Sequence, residues 1–331
     1  MTTPVRYSLA VVAVVSALVV AASLLVGHGD LGNDALVGAF LELRAARAAA
    51  AFLSGAALAV GGVVLQTLFR NPLVDPSILG TTSGASLGGQ LAIVAFQLAP
   101  RWARPSFLVP EMVLPIGCLA GALLALVILL AVLRQTQSEL AVLLTGFLLS
   151  SLFLSAGALL VSLAQDSYEL ARAVVSFTLG GVGGAGIRHV LLGLPLTCAA
   201  VVALWCWARP LELLLSGEDE ATTLGVDVPQ VRFWTVVWVA VGTAAAVAIG
   251  GNVGFVGLIV PHALRPFVGI APRRLLPAAA LAGGAFVVLC DVAVRAAPTR
   301  GELPLGVITG LVGGPLFLVL VLRSQREAAR G

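Results

Sequence analysis

Ten apolar stretches, most of them about 20 residues long, divide this chain, and only short polar connections separate them. A bilayer core holds no water to satisfy a free backbone N–H or C=O, so only α-helices and closed β-barrels cross it. Barrel strands alternate apolar and polar residues, whereas the runs here are continuous. The chain therefore reads as an all-α, polytopic membrane protein with about ten transmembrane helices. Its charge is too sparse for a soluble surface: 11% of the 331 residues are charged and 59% apolar, against about 25% charged in soluble domains.

The stretches fall near 8–26, 45–68, 89–99, 109–133, 140–163, 189–208, 233–249, 250–269, 275–294 and 303–322. The first is longer than the 7–15 apolar residues of a signal peptide, so a retained span is expected. A polar connection with Asp30, Asp34 and Glu42 precedes the second span, and Arg70-Asn71-Pro72 stops it. Residues 78–89 (ILGTTSGASLGG) lead into the third. Small residues of this kind allow close approach between membrane helices. The stretch 165–188 starts polar and turns glycine-rich, which suits a short helix or re-entrant piece. Pro261 and Pro266 make the eighth span short or broken.

The segment 209–232 is the most polar of all, with Glu212, Glu218, Asp219, Glu220 and Asp227. Ser216 is placed to cap a helix N-terminus, three acids in the first turn suit its dipole, and Gly225 suits the C′ position. These signals predict a short charged helix over 217–224, outside the bilayer. With cytoplasmic termini, the 19 basic residues divide eleven to eight in favour of the cytoplasmic side, as the positive-inside rule asks. The charged helix is then cytoplasmic.

All 19 basic residues are arginine. Without lysine there is no Walker A loop and no Schiff-base chemistry. A net charge of +3 gives no reason to expect nucleic acid. The four cysteines sit in apolar runs and read as small hydrophobes. The histidines His28, His189 and His262 lie far apart, with no metal-ligand spacing. No catalytic residue, cofactor or metal site is expected. A hydrolase would need a pair such as Ser83 and His262 to meet, and nothing in the sequence brings them together. Ion-coupled transport would need ionisable residues deep in the spans. The best candidate, Asp291, lies four residues before Arg295 and reads as a local pair. The chain thus shows no energy source of its own, which leaves two readings: a permease driven by a partner, and an ATP-independent secondary transporter.

Five stretches favour the first. Arg44-Ala45-Ala46-Arg47, LQTLFRNPLVDPSILGTTSGASLG (65–88), SGEDEATTLGVDVPQVR (216–232), GNVGFVGLIVPHALR (251–265) and GELPLGVITGLVGGPLFLVLVLR (301–323) together resemble the FecCD-type permeases of bacterial ABC importers for iron–siderophores, haem and cobalamin. The resemblance implies a type II ABC importer architecture: one transmembrane permease domain over 1–331, with 209–232 as its cytoplasmic coupling segment. It implies a homodimer in the bacterial inner membrane with both termini cytoplasmic. It implies two cytosolic ATPase subunits that hold the ATP, and a periplasmic or lipid-anchored substrate-binding protein. By the same resemblance, Glu218, Asp219, Glu220, Ala221, Leu224 and Gly225 couple to the ATPase. Arg44, Arg47 and Arg295 dock the binding protein, and Ser83 and Thr145 fall in the gate region. Ala46 departs from the family, which often has proline there.

Overall fold

The computed structural model describes residues 3–27, 37–98, 100, 110–133, 135, 139–183, 186–297 and 303–328. His28, Asp30, Asp34, Arg101, Arg104, Arg134, Arg300 and Arg330 lie outside them. The described residues are helical almost throughout. In chain order the helices are α1 (Thr3–Leu25), α2 (Val37–Leu68), α3 (Thr81–Leu98), α4 (Pro110–Leu133), α5 (Glu139–Leu163), α6 (Tyr168–Thr178), α7 (Ile187–Cys206), α8 (Ala208–Leu214), α9 (Glu218–Thr223), α10 (Val228–Gly250), α11 (Val256–Val268), α12 (Pro272–Ala296) and α13 (Leu305–Ala328). Among the described residues six helices are long and apolar enough to cross a membrane: α2, α4, α5, α7, α10 and α12. The apolar parts of α1, α11 and α13 are shorter.

The bundle is built around α2. Its second half is almost wholly alanine, glycine, valine and leucine, and nearly every residue there is buried. α10 and α12 run antiparallel to it. Ser54 Oγ donates to the Ala246 carbonyl at 2.8 Å, while Gly61 faces Val239. Gly55 lies against Gly283 so closely that a side chain at either would strike the other's backbone. A side chain at Gly62 would likewise strike the backbone of Gly257 in α11, and one at Gly257 would strike Asp75 and Pro76. Small residues thus let backbones touch where no hydrophobic force can pull helices together.

Three boundaries differ from those the sequence suggests. α2 begins at Val37, eight residues before the expected span, so Arg44 as well as Arg47 lies inside the helix. The Gly/Ser/Thr stretch after residue 80 is the first half of α3. It is helical because Gly84 and Gly88 pack on Gly121 and Gly117 of α4. The segment after the sixth span holds two helices, α8 and α9, where one was expected.

The interrupted stretch after α5 contains the short α6, as anticipated, and α11 has only 13 residues. At 1.5 Å per residue α11 is about 20 Å long, short of the roughly 30 Å hydrocarbon core. Its start therefore belongs to a meeting of helix ends within the bundle. Gly181 N donates to the Gly250 carbonyl at 3.0 Å, and Leu305 N to the Gly180 carbonyl at 2.9 Å. The ends of α6 and α10 and the start of α13 are tied together there, which satisfies irregular backbone inside protein. Cys118 and Cys290 are buried, but Cys198 and Cys206 lie on the exposed, apolar side of α7.

Candidate functional site

Two polar sites stand at opposite ends of the α2–α10–α12 core. Arg44 is near the start of α2, and Leu68 at its end lies 24 residues on, about 36 Å along the axis. Because α10 is antiparallel to α2, the α9 element that precedes α10 lies at the Leu68 end.

At the first end, α1 finishes at Leu25 and leaves carbonyls without helical partners. Two arginines satisfy them. Arg44 Nη1 donates to Leu24 O (3.0 Å) and Leu25 O (3.4 Å), and its Nη2 to Gly27 O (3.1 Å). Arg295 Nη1 donates to Ser23 O (2.9 Å) and to Val26 O. Cations also suit the negative end of the α1 dipole. Between α2 and α12 sits Asp291, whose side chain is fully buried. Arg47 Nε donates to Asp291 Oδ1 at 2.7 Å, and Arg295 Nε faces Oδ2 at 3.0 Å. Arg44, Arg47 and Arg295 are thus brought into one cluster, and all three are largely buried. Asp291 forms the local pair expected with Arg295 and a second, long-range pair that sequence reasoning missed. A buried acid in an apolar helix demands a cation partner, and that signal could have pointed to Arg47.

At the other end, α9 is held by its ends. The expected cap, Ser216, does not serve: the cap position is Gly217, with φ of +135° and no side-chain cap bond. Its carbonyl accepts from Ala221 N at 3.1 Å. Only glycine adopts that φ readily, which explains why the cap shifted by one residue. The C-terminus follows the sequence: Gly225 (φ +84°) takes the C′ position. Gly225 N donates to Thr222 O at 2.9 Å and Val226 N to Ala221 O at 3.0 Å, a Schellman closure. Asp227 then caps α10 by accepting from Gln230 N.

The six residues named for coupling divide by face. Ala221 is buried and anchors α9, while Asp219, Glu220, Leu224 and Gly225 are exposed. Glu218 is half-exposed and accepts from Arg232 Nη2 of α10 at 2.7 Å.

Near this end Gln66 of α2 bridges to α11, accepting from Arg265 Nη2 at 2.5 Å and donating to the Gly257 carbonyl at 2.9 Å. Asp75, in the connection beneath, accepts from Ser77 N and Ser77 Oγ. Burial holds its carboxyl above the usual carboxylate range.

Ser83 donates to Gly80 O at 3.1 Å, and Thr145 to Ala141 O at 2.8 Å. Ser83 also lines a cavity of about 340 Å³ between α3, α5 and α6, with Ser86, Gln90 and Thr178; Thr145 does not line it. Gln90 Nε2 donates to Thr178 Oγ1 at 2.7 Å and so links α3 to α6. Among the described residues no group of His, Cys, Asp and Glu could hold a metal ion.

The sequence matches the FecCD transport family over residues 5–323. The chain belongs to that family. It is 36% identical to the hemin transport system permease protein HmuU of Yersinia pestis, over 90% of this chain and 87% of that one. It is 39% identical to the cobalamin import system permease protein BtuC of Halobacterium salinarum, over 83% and 70%. With the Fe(3+) dicitrate transport system permease protein FecD of Escherichia coli it shares 38% identity over 86% and 85%. A solved inward-facing structure of a protein assigned as a metal-chelate type ABC transporter superposes with a TM-score of 0.82 at 30% identity, covering 96% of this chain and 99% of that one. This FecCD protein is therefore a multi-pass inner-membrane permease subunit of an ABC importer. ATP hydrolysis belongs to separate partner subunits, consistent with the absence of lysine and hence of a Walker A loop.

Proposed function

We propose that this permease works as a homodimer that carries a metal chelate, namely a ferric siderophore, haem or cobalamin, along the dimer axis into the cytoplasm. A binding protein, soluble in the periplasm or lipid-anchored, delivers the cargo to the end bearing Arg44, Arg47 and Arg295. Two ATPase subunits engage α9 at the other end, where the chain termini also lie. The observation that carries this reading is the separation of the two polar sites by the length of α2, with α10 and α12 joining them.

The geometry supports each part. Asp219, Glu220 and Leu224 form an exposed face on a helix capped at both ends, the form of element that seats in a partner's groove. Arginine forks suit carboxylates on a docking protein. α5 is the candidate dimer face, because its exposed side carries Ser151, Ser155 and Ser162 among its leucines. Those hydroxyls recur at near-helical spacing and fit an aqueous path better than lipid. The permease itself makes and breaks no covalent bond and needs no cofactor; its relatives named above move haem, cobalamin and ferric dicitrate.

The cargo is tested by stimulation of ATP hydrolysis. The permease, its ATPase and its binding protein are assembled in nanodiscs and offered ferric siderophores, haem or cobalamin in turn. One class is expected to raise the hydrolysis rate. No response to any metal chelate would overturn the proposed cargo.

A further inference from the structure

We propose that Asp291 is the positioning residue for the docking arginines, an inference that rests on reading Arg44, Arg47 and Arg295 as the site for the binding protein. Asp291 cannot touch a partner, because its side chain is fully buried between α2 and α12. It acts through the two guanidinium groups that it holds. One carboxylate oxygen takes Arg47 Nε at 2.7 Å and the other faces Arg295 Nε at 3.0 Å. Arg47 is thus held at Nε by a hydrogen bond, and Arg295 Nε lies at ion-pair distance from the other oxygen. The Arg295 fork is fixed in rotation as well, since its Nη1 reaches the carbonyls of Ser23 and Val26.

A long arginine side chain left to itself samples many rotamers, and holding it still costs conformational entropy at the moment of docking. The buried carboxylate meets that cost in advance. Arg47, whose side chain keeps 14% exposure, is set in place before docking, whereas Arg295, buried and bonded through Nη1 to backbone carbonyls, braces the carboxylate from the other side. Stability alone is a poor explanation for the arrangement. A buried ion pair is commonly no more stabilising than apolar residues of the same volume, and apart from Arg295 the neighbouring turns of α12 are apolar or small. The charge is placed where it orients arginines from two helices.

The test titrates the binding protein against the assembled permease–ATPase complex and reads stimulated ATP hydrolysis. Asp291→Asn keeps the shape and removes the charge. It is expected to raise the half-maximal concentration of binding protein by at least about tenfold, while the maximal stimulated rate stays near that of the parent. A merely structural lesion would instead lower the maximal rate of the assembled complex and leave the half-maximal concentration unchanged, and that pattern overturns the proposal. Arg47→Gln serves as the reference. If it too leaves the half-maximal concentration unchanged, the docking site itself has been misassigned. If Arg47→Gln weakens docking and Asp291→Asn does not, the role of Asp291 alone is refuted. Should Asp291→Asn fail to assemble, Asp291→Glu keeps the charge and moves it by one methylene. Weakened docking by that variant supports positioning, and parental affinity overturns it.

Discussion

Glu218 and Arg232 form an ion pair at 2.7 Å that fastens the short helix α9 to α10. The two residues are 14 positions apart, bridging the Schellman turn and the Asp227 cap. α9 therefore cannot swing freely on a slack linker. A displacement imposed on it passes to α10, which runs into the core beside α2.

Arg232→Ala should cost little stability, about 1 kcal/mol or less, because the pair is partly exposed. The expected effect lies in coupling: more ATP hydrolysed per cargo molecule transported, with ATPase subunits still bound. Parallel assays of hydrolysis and uptake check it. An unchanged ratio would show that α9 transmits through its backbone turn alone.

Replacing Glu218 and Leu224 together by alanine removes one charge and one exposed apolar anchor from α9. Retention of the ATPase subunits on the purified permease should fall at least tenfold, equivalent to about 1.4 kcal/mol. The thermal transition of the isolated permease should hardly move, since neither side chain is buried. Full retention with coupled hydrolysis would remove α9 from the ATPase interface.

Gly225→Val places a β-branched residue at φ of +84°. The expected cost is about 1–2 kcal/mol at the C-terminus of α9, enough to fray a six-residue helix. Amide exchange in 218–226 should accelerate while the core remains protected. Unchanged exchange would mean that the turn tolerates a side chain.

Gly62→Val tests the core. A side chain there would strike the Gly257 backbone, and α2 would have to separate from α11 or shift its register. Overpacking of this kind costs about 1–3 kcal/mol, and the Gln66 bridge to Arg265 one turn away should break with it. Thermal stability in detergent should drop clearly relative to Gly38→Val, a site with no described neighbour within 4 Å of an added side chain. Equal stability of the two variants would contradict the packing.

The spans were legible because each is a continuous apolar run, and α6 and α11 announced themselves by polarity and proline. The start of α3 was hidden: Gly84 and Gly88 look like a loop until Gly117 and Gly121 of α4 are set against them. Ser216 was a reasonable cap by residue type, yet backbone torsion at Gly217 decided the position. The family resemblance singled out the three arginines, but not their partners. Arg47 and Asp291 lie 244 positions apart, and no local pattern connects them. Pairings of that kind arise from antiparallel packing of α2 on α12, which one sequence does not reveal.

The most direct measurement is cargo uptake into proteoliposomes holding the permease and its ATPase, with loaded binding protein outside and ATP inside. The account predicts uptake only when ATP is present, and loss of that uptake when Glu218 and Leu224 are both replaced. Uptake that proceeds without ATP or the ATPase, driven by an ion gradient alone, would contradict it.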